Sequence, residues 1–344
     1  MENKKLFEKA TVLITGGTGS WGTELVTQLL EKYPNIGEIR IYSRGEHRQV
    51  EMMQLFNNNS KLRFIIGDVR DKNILNFAMK GVDYVFHLAA LKHVPVCENN
   101  TWEAVLTNIY GTQNVIEAAI SNNVKKVVDV STDKAVEPFN LYGMTKACGE
   151  KLMLNANFNY SSTQTNGTSF ICIRGGNVIG TNGSVIPLFK KQLLENNQIT
   201  ITDPNMTRFL MSTKEAISLI FTAVEDSIGG ELFVMNMPAT SLNVIAQTMI
   251  ELFGNKKSSI VNIGTRPGEK IDEVLVSRNE ASLTHKVSKK YFVILPQTNN
   301  QMLKSKYESL DKINIDEFSS ANADQLSKED LIKVLKVEKW LWKN

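Results

Sequence analysis

The chain has 344 residues, 42% of them hydrophobic and 22% charged, with a formal net charge of +3. That composition belongs to a soluble globular protein with room for one large or two modest domains. The charge is too small to point to nucleic acid or an anionic membrane surface, and no stretch is long and apolar enough to span a bilayer.

The three cysteines, Cys97, Cys148 and Cys172, are odd in number and widely spaced, which predicts reduced thiols. Residues 1–5 lead toward a strand with no apolar signal segment, so a cytoplasmic location is expected.

The first predicted strand, 11–15, runs into Gly16. Gly16, Gly19 and Gly22 then set a G-x-x-G-x-x-G turn ahead of a helical pattern carrying Leu25, Val26, Leu29 and Leu30. A tight turn, close backbone approach and a helix N-terminus suit the pyrophosphate of a dinucleotide. Glycine triplets alone are weak evidence; the strand–turn–helix setting gives them meaning. A second strand, 38–44, ends in Ser43 and Arg44 with no carboxylate until Glu46. A carboxylate there would take the ribose 2′-hydroxyl of NAD, whereas a guanidinium suits a 2′-phosphate, so NADP is favoured and NAD is the alternative. Stacking of Arg44 on adenine would serve either.

A third strand, 64–69, places Asp68 at its exit, where a carboxylate can accept the adenine amino group. A fourth, 84–90, ends in Ala89 and Ala90, small enough to admit phosphates and ribose, and Lys92 follows within reach of that ribose or the nicotinamide side. His87 reads as a buried, hydrogen-bonded imidazole, and His87, His93 and Cys97 match no common zinc spacing. One long helix over 101–123 carries Asn108 in its first half. Strands alternating with helices at this spacing predict right-handed crossovers and a Rossmann-like, doubly wound parallel sheet of the α/β class.

The fifth strand, 126–130, delivers Ser131, Thr132, Asp133 and Lys134 to the C-terminal edge, where ligands bind in such sheets. A helix opening near Tyr142 puts Tyr142 and Lys146 on one face. An ammonium beside a phenol favours the phenolate, which makes Tyr142 a candidate base. Taken alone, a Tyr-x-x-x-Lys pair is as often ordinary helix decoration; the Gly-rich turn upstream argues otherwise.

Residues 155–167, rich in Asn, Ser and Thr, predict a surface loop before a strand at 169–174. A glycine-rich loop over 175–184 follows, then short strands at 199–204 and 208–211 around a turn. Ser212 and Glu215 have capping-box spacing. Arg208 and Arg266 are candidate diphosphate clamps and Glu269 a candidate ribose ligand, with surface salt bridges the equal alternative. Ser327 and Asp330 open a last helix to about 341. The pattern breaks near 175, which divides the chain into an NAD(P)-binding domain over 1–175 and a smaller substrate-binding lobe over 176–344.

Eight segments carry a family likeness: Thr15-Gly16-Gly17-Thr18-Gly19-Ser20, Gly67-Asp68-Val69-Arg70-Asp71, Ala89-Ala90-Leu91-Lys92-His93-Val94-Pro95, Ser131-Thr132-Asp133-Lys134-Ala135, Gly176-Asn177-Val178, Gly183-Ser184-Val185-Ile186-Pro187, Met206-Thr207-Arg208-Phe209 and Arg266-Pro267-Gly268-Glu269-Lys270. From residue 11 to about 275 the chain resembles an extended short-chain dehydrogenase/reductase. More narrowly it resembles the bacterial UDP-N-acetylglucosamine 4,6-dehydratases of pseudaminic-acid and capsule pathways.

The resemblance implies a UDP-GlcNAc substrate, a UDP-4-keto-6-deoxy product for surface glycan synthesis, and a homo-oligomer. It implies that Tyr142 takes the proton of the sugar 4-hydroxyl and that Lys146 holds the nicotinamide ribose, with Thr132 beside them. Lys134, as a neutral amine, would remove the C5 proton, and Asp133 would protonate the departing 6-hydroxyl. Cations near Lys134, such as Lys146, are expected to lower its pKa, and Asp133 to oppose them. Gly16, Thr18, Gly19, Ser20, Trp21, Gly22, Ser43, Arg44, Asp68, Val69, Ala89, Ala90, Lys92 and Asn108 would contact the cofactor. Lys92, Asn177, Ser184, Val185, Thr202, Arg208, Arg266 and Glu269 would contact the substrate. Trp21, Gly175 and Asn182 depart from the usual residues, and the last two leave inversion or retention at C5 open. A UDP-HexNAc 4-epimerase, which has no use for the Asp133–Lys134 pair, and a non-catalytic NADP-binding partner are the rival readings.

Overall fold

The computed structural model describes residues 5–161, 167–179, 184–265, 269–297 and 300–337. Six short apolar runs form parallel strands, each returned by a helix that buries one face of the sheet: β1 (Thr11–Thr15), β2 (Glu38–Ser43), β3 (Leu62–Ile66), β4 (Tyr84–His87), β5 (Lys126–Thr132) and β6 (Ser169–Gly175). Because helices cover both faces, the central strands are apolar throughout rather than alternating. Val12, Leu13, Ile14, Val85, Phe86 and Val127 are all fully buried.

Beyond β6 come β7 (Asn177–Val178), β8 (Gln198–Ile201), β9 (Thr207–Met211), β10 (Leu232–Met235), β11 (Ala239–Ser241), β12 (Ser259–Asn262), β13 (Val274–Val276), β14 (Thr284–Lys286), β15 (Tyr291–Ile294) and β16 (Phe318–Ser319). The large sheet has nine strands in the order β14-β15-β10-β6-β5-β4-β1-β2-β3. Strand order reverses between β1 and β4, so a crevice forms beyond their C-terminal ends. The α/β, Rossmann-like architecture expected from the sequence is the one observed.

Several expectations change. β10, β14 and β15, from beyond residue 175, complete the nine-stranded sheet. A second hydrophobic cluster does gather residues of the later chain, including Ile186, Phe189, Ile199, Ile245, Met249, Leu331 and Leu335. The segment after Asn155 is not loop at first: the helix Leu141–Ser161 continues through it, and Ala156 and Asn157 are buried. There packing overrides weak helix propensity, because the Asn157 side chain accepts the Phe170 N–H at 3.1 Å. β8 and β9 do not pair with each other; β8 pairs with β12, and β9 with β7 and β11. The helix expected over 101–123 is broken by a π-helical turn at Leu106–Tyr110. The capping box on Thr213–Asp226 forms as expected. Among the described residues no helix is long and apolar enough to cross a membrane.

Candidate active site

A cleft of about 890 Å³ opens beyond the C-terminal ends of β1, β2, β4, β5 and β6. The first turn lines it with Gly16, Thr18, Gly19, Ser20, Trp21 and Gly22. Ser43 and Arg44 come from the end of β2, Asp68 and Val69 from the exit of β3, and Ala89, Ala90 and Lys92 from that of β4. Thr132, Lys134, Tyr142 and Lys146 form the wall by β5, with Asn177 and Ser184 opposite. Gly16 has φ +67°, and a Cβ there would lie 2.8 Å from the Ala89 backbone nitrogen. Only glycine lets the first turn and the β4 exit approach so closely.

At the outer end, Asp68 is held from below. Its Oδ1 accepts the Arg70 N–H at 3.0 Å and its Oδ2 accepts two guanidinium bonds at 2.9 and 2.6 Å. Burial pushes this carboxyl up, but the Arg70 bonds outweigh burial and leave it below its usual range. Arg44 is exposed, with a guanidinium nitrogen 3.8 Å from Asp68 Oδ2. Arg48, which the sequence did not single out, also lines this end.

At the inner end, Lys146 is 4% exposed and its Nζ lies 3.2 and 3.3 Å from the two oxygens of fully buried Asp129. Asp129 went unnoticed in the sequence because it sits mid-strand among valines. Burial lowers the Lys146 pKa, but Asp129 more than restores it, so Lys146 is an ammonium. Tyr142 has Lys146, Lys134 and the Thr132 hydroxyl favouring its phenolate, yet burial outweighs them and its pKa lies above the ordinary value. The expectation that the neighbouring ammonium would bring Tyr142 toward a phenolate is therefore not met in this state: Lys146 favours the phenolate, but burial outweighs it.

Lys134 also departs from expectation. Its Nζ is 3.1 Å from Asp133 Oδ1 and 3.5 Å from Glu273 Oε1. Burial pulls its pKa down, but the two carboxylates raise it well above the ordinary lysine range. In this state Lys134 is protonated rather than neutral. Thr132 donates to Asp133 Oδ1 at 2.9 Å. Among the described residues, four buried side-chain oxygens lack a hydrogen-bond partner: Thr107 Oγ1, Ser131 Oγ, Asp133 Oδ2 and Ser184 Oγ. Three line the cleft, and Asp133 sits between the lining residues Thr132 and Lys134. Buried oxygens left unpaired in this way suit a polar ligand.

Other expected residues lie outside the cleft lining. Asn108 sits in the π turn and exchanges hydrogen bonds with the Leu91 backbone at 2.8 and 2.9 Å while donating to Thr145 at 3.0 Å. It braces the loop after β4 against the Tyr142 helix. Val185, Thr202 and Glu269 do not line the cleft, and Thr202 donates to Met206 Sδ. Arg208 grips the carbonyls of Thr207, Lys270 and Ile271. Arg266, Asn182 and Gly183 lie outside the described residues. His87 is buried between Thr15 and Thr112, and burial pushes its pKa down to about 4, so it is a neutral structural imidazole. Among the described residues no cluster of His, Cys, Asp and Glu could hold a metal ion.

Fold and cleft together define a Rossmann-like scaffold with a glycine-lined cleft at its strand ends. The polysaccharide biosynthesis protein family matches residues 12–295, and the chain belongs to that family. It is 43% identical over 336 residues to a UDP-glucose 4-epimerase of Rickettsia bellii, an alignment that covers 96% of each chain. The X-ray structure of Pen from Bacillus thuringiensis superposes with a TM-score of 0.86 at 39% identity, covering 96% of this chain and 99% of that one. DesIV, a dTDP-glucose 4,6-dehydratase of Streptomyces venezuelae solved with NAD bound, shares the fold with a TM-score of 0.69 at 24% identity, covering 76% of this chain and 86% of that one. The chain is thus related to nucleotide-sugar enzymes of polysaccharide biosynthesis.

Proposed function

We propose that this protein is an NADP-dependent UDP-N-acetylglucosamine 4,6-dehydratase that makes a UDP-2-acetamido-2,6-dideoxy-4-hexulose for bacterial surface glycans. The observation that carries the reading is the Asp133–Lys134 pair at the cleft wall beside Tyr142. Oxidation and reduction at C4 need only Tyr142 and Lys146. An additional acid and base on the same wall have a use when water is eliminated across C5 and C6.

NADP bound in this cleft would accept a hydride from the sugar and later return it. Gly16, Ala89 and Ala90 give it room, and Arg44 and Arg48 stand where NAD would call for a carboxylate. Tyr142 removes the 4-hydroxyl proton, and the resulting ketone acidifies the proton on C5. At rest the pair is Lys134 ammonium and Asp133 carboxylate, joined by a hydrogen bond. Passage of that proton to Asp133 leaves an amine and a carboxylic acid with no change of total charge. Lys134 then takes the C5 proton and Asp133 protonates the 6-hydroxyl as water leaves. We further propose that the second hydrophobic cluster marks the nucleotide-sugar lobe, with Arg208, Arg266 and Glu269 on the UDP side.

The name of the Rickettsia bellii relative favours a second reading, a UDP-sugar 4-epimerase. One assay separates the two. The enzyme is incubated with NADP and UDP-GlcNAc, or UDP-glucose, in deuterated water, and the product is read by NMR. Loss of the 6-hydroxyl with deuterium at C5 supports dehydration, and the C5 coupling reports inversion or retention. An intact 6-hydroxyl with altered C4 would replace this reading with epimerisation. No turnover despite bound cofactor would point to a binding partner.

A further inference from the structure

Glu273 lies 139 positions after Lys134 (273 minus 134) and precedes β13, yet its carboxylate reaches the cleft wall. It is 5% exposed. Its Oε1 is 3.5 Å from Lys134 Nζ and 3.7 Å from Arg208 Nε. The backbone around it is fixed on two sides. Its N–H donates to Ser320 Oγ at 2.9 Å, and its carbonyl accepts the Ser320 N–H at 2.8 Å. Thr207 donates to the neighbouring Asp272. Lys270, from the same segment, donates to the carbonyls of Val136 and Glu137 just past the Asp133–Lys134 turn. The segment is thus clamped at both ends, and Glu273 cannot swing away cheaply.

A buried carboxylate must be paired, and here its partners are a substrate-lobe arginine and the proposed base. Two carboxylates, Asp133 and Glu273, share the one ammonium of Lys134. Lys134 itself lines the cleft, so the two carboxylates hold its ammonium at the cleft wall.

We propose that Glu273 is a positioning residue for the Asp133–Lys134 pair: it aims the Lys134 amine into the cleft and, through its negative charge, keeps the pair's shared proton in place. The proposal rests on the dehydratase reading. The charged and titratable groups facing the pair are Glu273 from the β13 segment, Arg208 from β9, and Tyr142 and Lys146 from the helix Leu141–Ser161. Of these, Glu273 is the carboxylate in contact with Lys134 besides Asp133.

The test is the pH profile of dehydration by the full-length enzyme with NADP and UDP-GlcNAc. Wild type, Glu273→Gln and Glu273→Asp are compared for kcat, KM and C5 deuterium exchange. Removing the charge while keeping the shape should move the alkaline limb of kcat downward by about one pH unit or more, because the carboxylate that disfavours loss of the pair's proton is gone. KM should change by less than about threefold while kcat falls at least tenfold. Glu273→Asp keeps the charge but withdraws it, so its alkaline limb should stay near wild type while kcat falls. If the Gln variant does not fold, the Asp variant decides: an unchanged kcat overturns the proposal. A raised KM with unchanged kcat, or a lowered kcat with an unmoved limb in the Gln variant, overturns it too and leaves a structural role. Failure of the wild type to dehydrate would instead remove the dehydratase reading on which this one stands.

Discussion

Lys146 and Asp129 form an ion pair with both partners essentially buried, 3.2 Å apart at the closest approach. Lys146 stands one helical turn beyond Tyr142, and Asp129 stands in β5, the strand that ends in Thr132. The pair therefore welds the Tyr142 helix to the strand that leads into the proposed acid and base, Asp133 and Lys134. Removing one partner strands a buried charge. Asp129→Asn should cost roughly 3–5 kcal/mol in urea unfolding, and Asp129→Asn combined with Lys146→Met should recover part of it. Additive losses in the double variant would show that the pair does not act as a unit.

Tyr142 and Lys134 act at different steps in the proposed reaction, so their variants should differ in kind. Tyr142→Phe should lower turnover by about 10²- to 10⁴-fold and prevent cofactor reduction by UDP-GlcNAc. Lys134→Ala should still allow cofactor reduction in a single turnover while abolishing deuterium entry at C5. Full C5 exchange in Lys134→Ala would remove Lys134 from its assigned role.

Arg44 and Arg48 make a cofactor prediction. Arg44→Ala should weaken NADP binding by about tenfold or more and leave NAD nearly unchanged, as expected for loss of a charged contact to the 2′-phosphate. Fluorescence titration with both cofactors reads this directly. Equal weakening of both would mean that Arg44 stacks on the adenine.

His87 sets an acid limit on stability. Its folded pKa of about 4 lies below the ordinary imidazole value of 6.5, so the unfolded chain takes up the proton first as pH falls. The stability from keeping it neutral is complete above pH 6.5 and declines between 6.5 and about 4. The size is roughly 3 kcal/mol. Urea midpoints from pH 7 to 4 should fall less steeply in His87→Gln than in wild type.

Gly143 packs against the turn that carries Asp133 and Lys134. A Cβ there would sit 2.1 Å from the Lys134 carbonyl oxygen and 3.1 Å from Pro138 Cβ. Gly143→Ala should push the turn aside, cost about 1–3 kcal/mol and depress dehydration while far-UV circular dichroism stays native. Unchanged activity would show that the Asp133–Lys134 turn tolerates displacement.

Much of the fold was legible because its signals are local. Apolar runs such as Val12-Leu13-Ile14 and Val127-Val128, each followed by a helical period, dictate parallel strands. The glycines at 16, 19 and 22 mark a turn that lies close against the exit of β4 at the cleft. Tyr142 and Lys146 share a face by helix geometry alone. The π turn that sets Asn108 as a brace, and the helix continuing through Asn157, follow from packing against other segments, which no local period records.

The composition and periodicity of this chain therefore determined an α/β sheet with its cleft at the strand ends, since backbone propensity and hydrophobic spacing act over a few residues. Tertiary structure alone decided the charge state of the site. Asp129 meets Lys146, and Glu273 meets Lys134 from 139 positions away (273 minus 134). Electrostatic energies depend on distance and burial in space, and sequence separation carries neither.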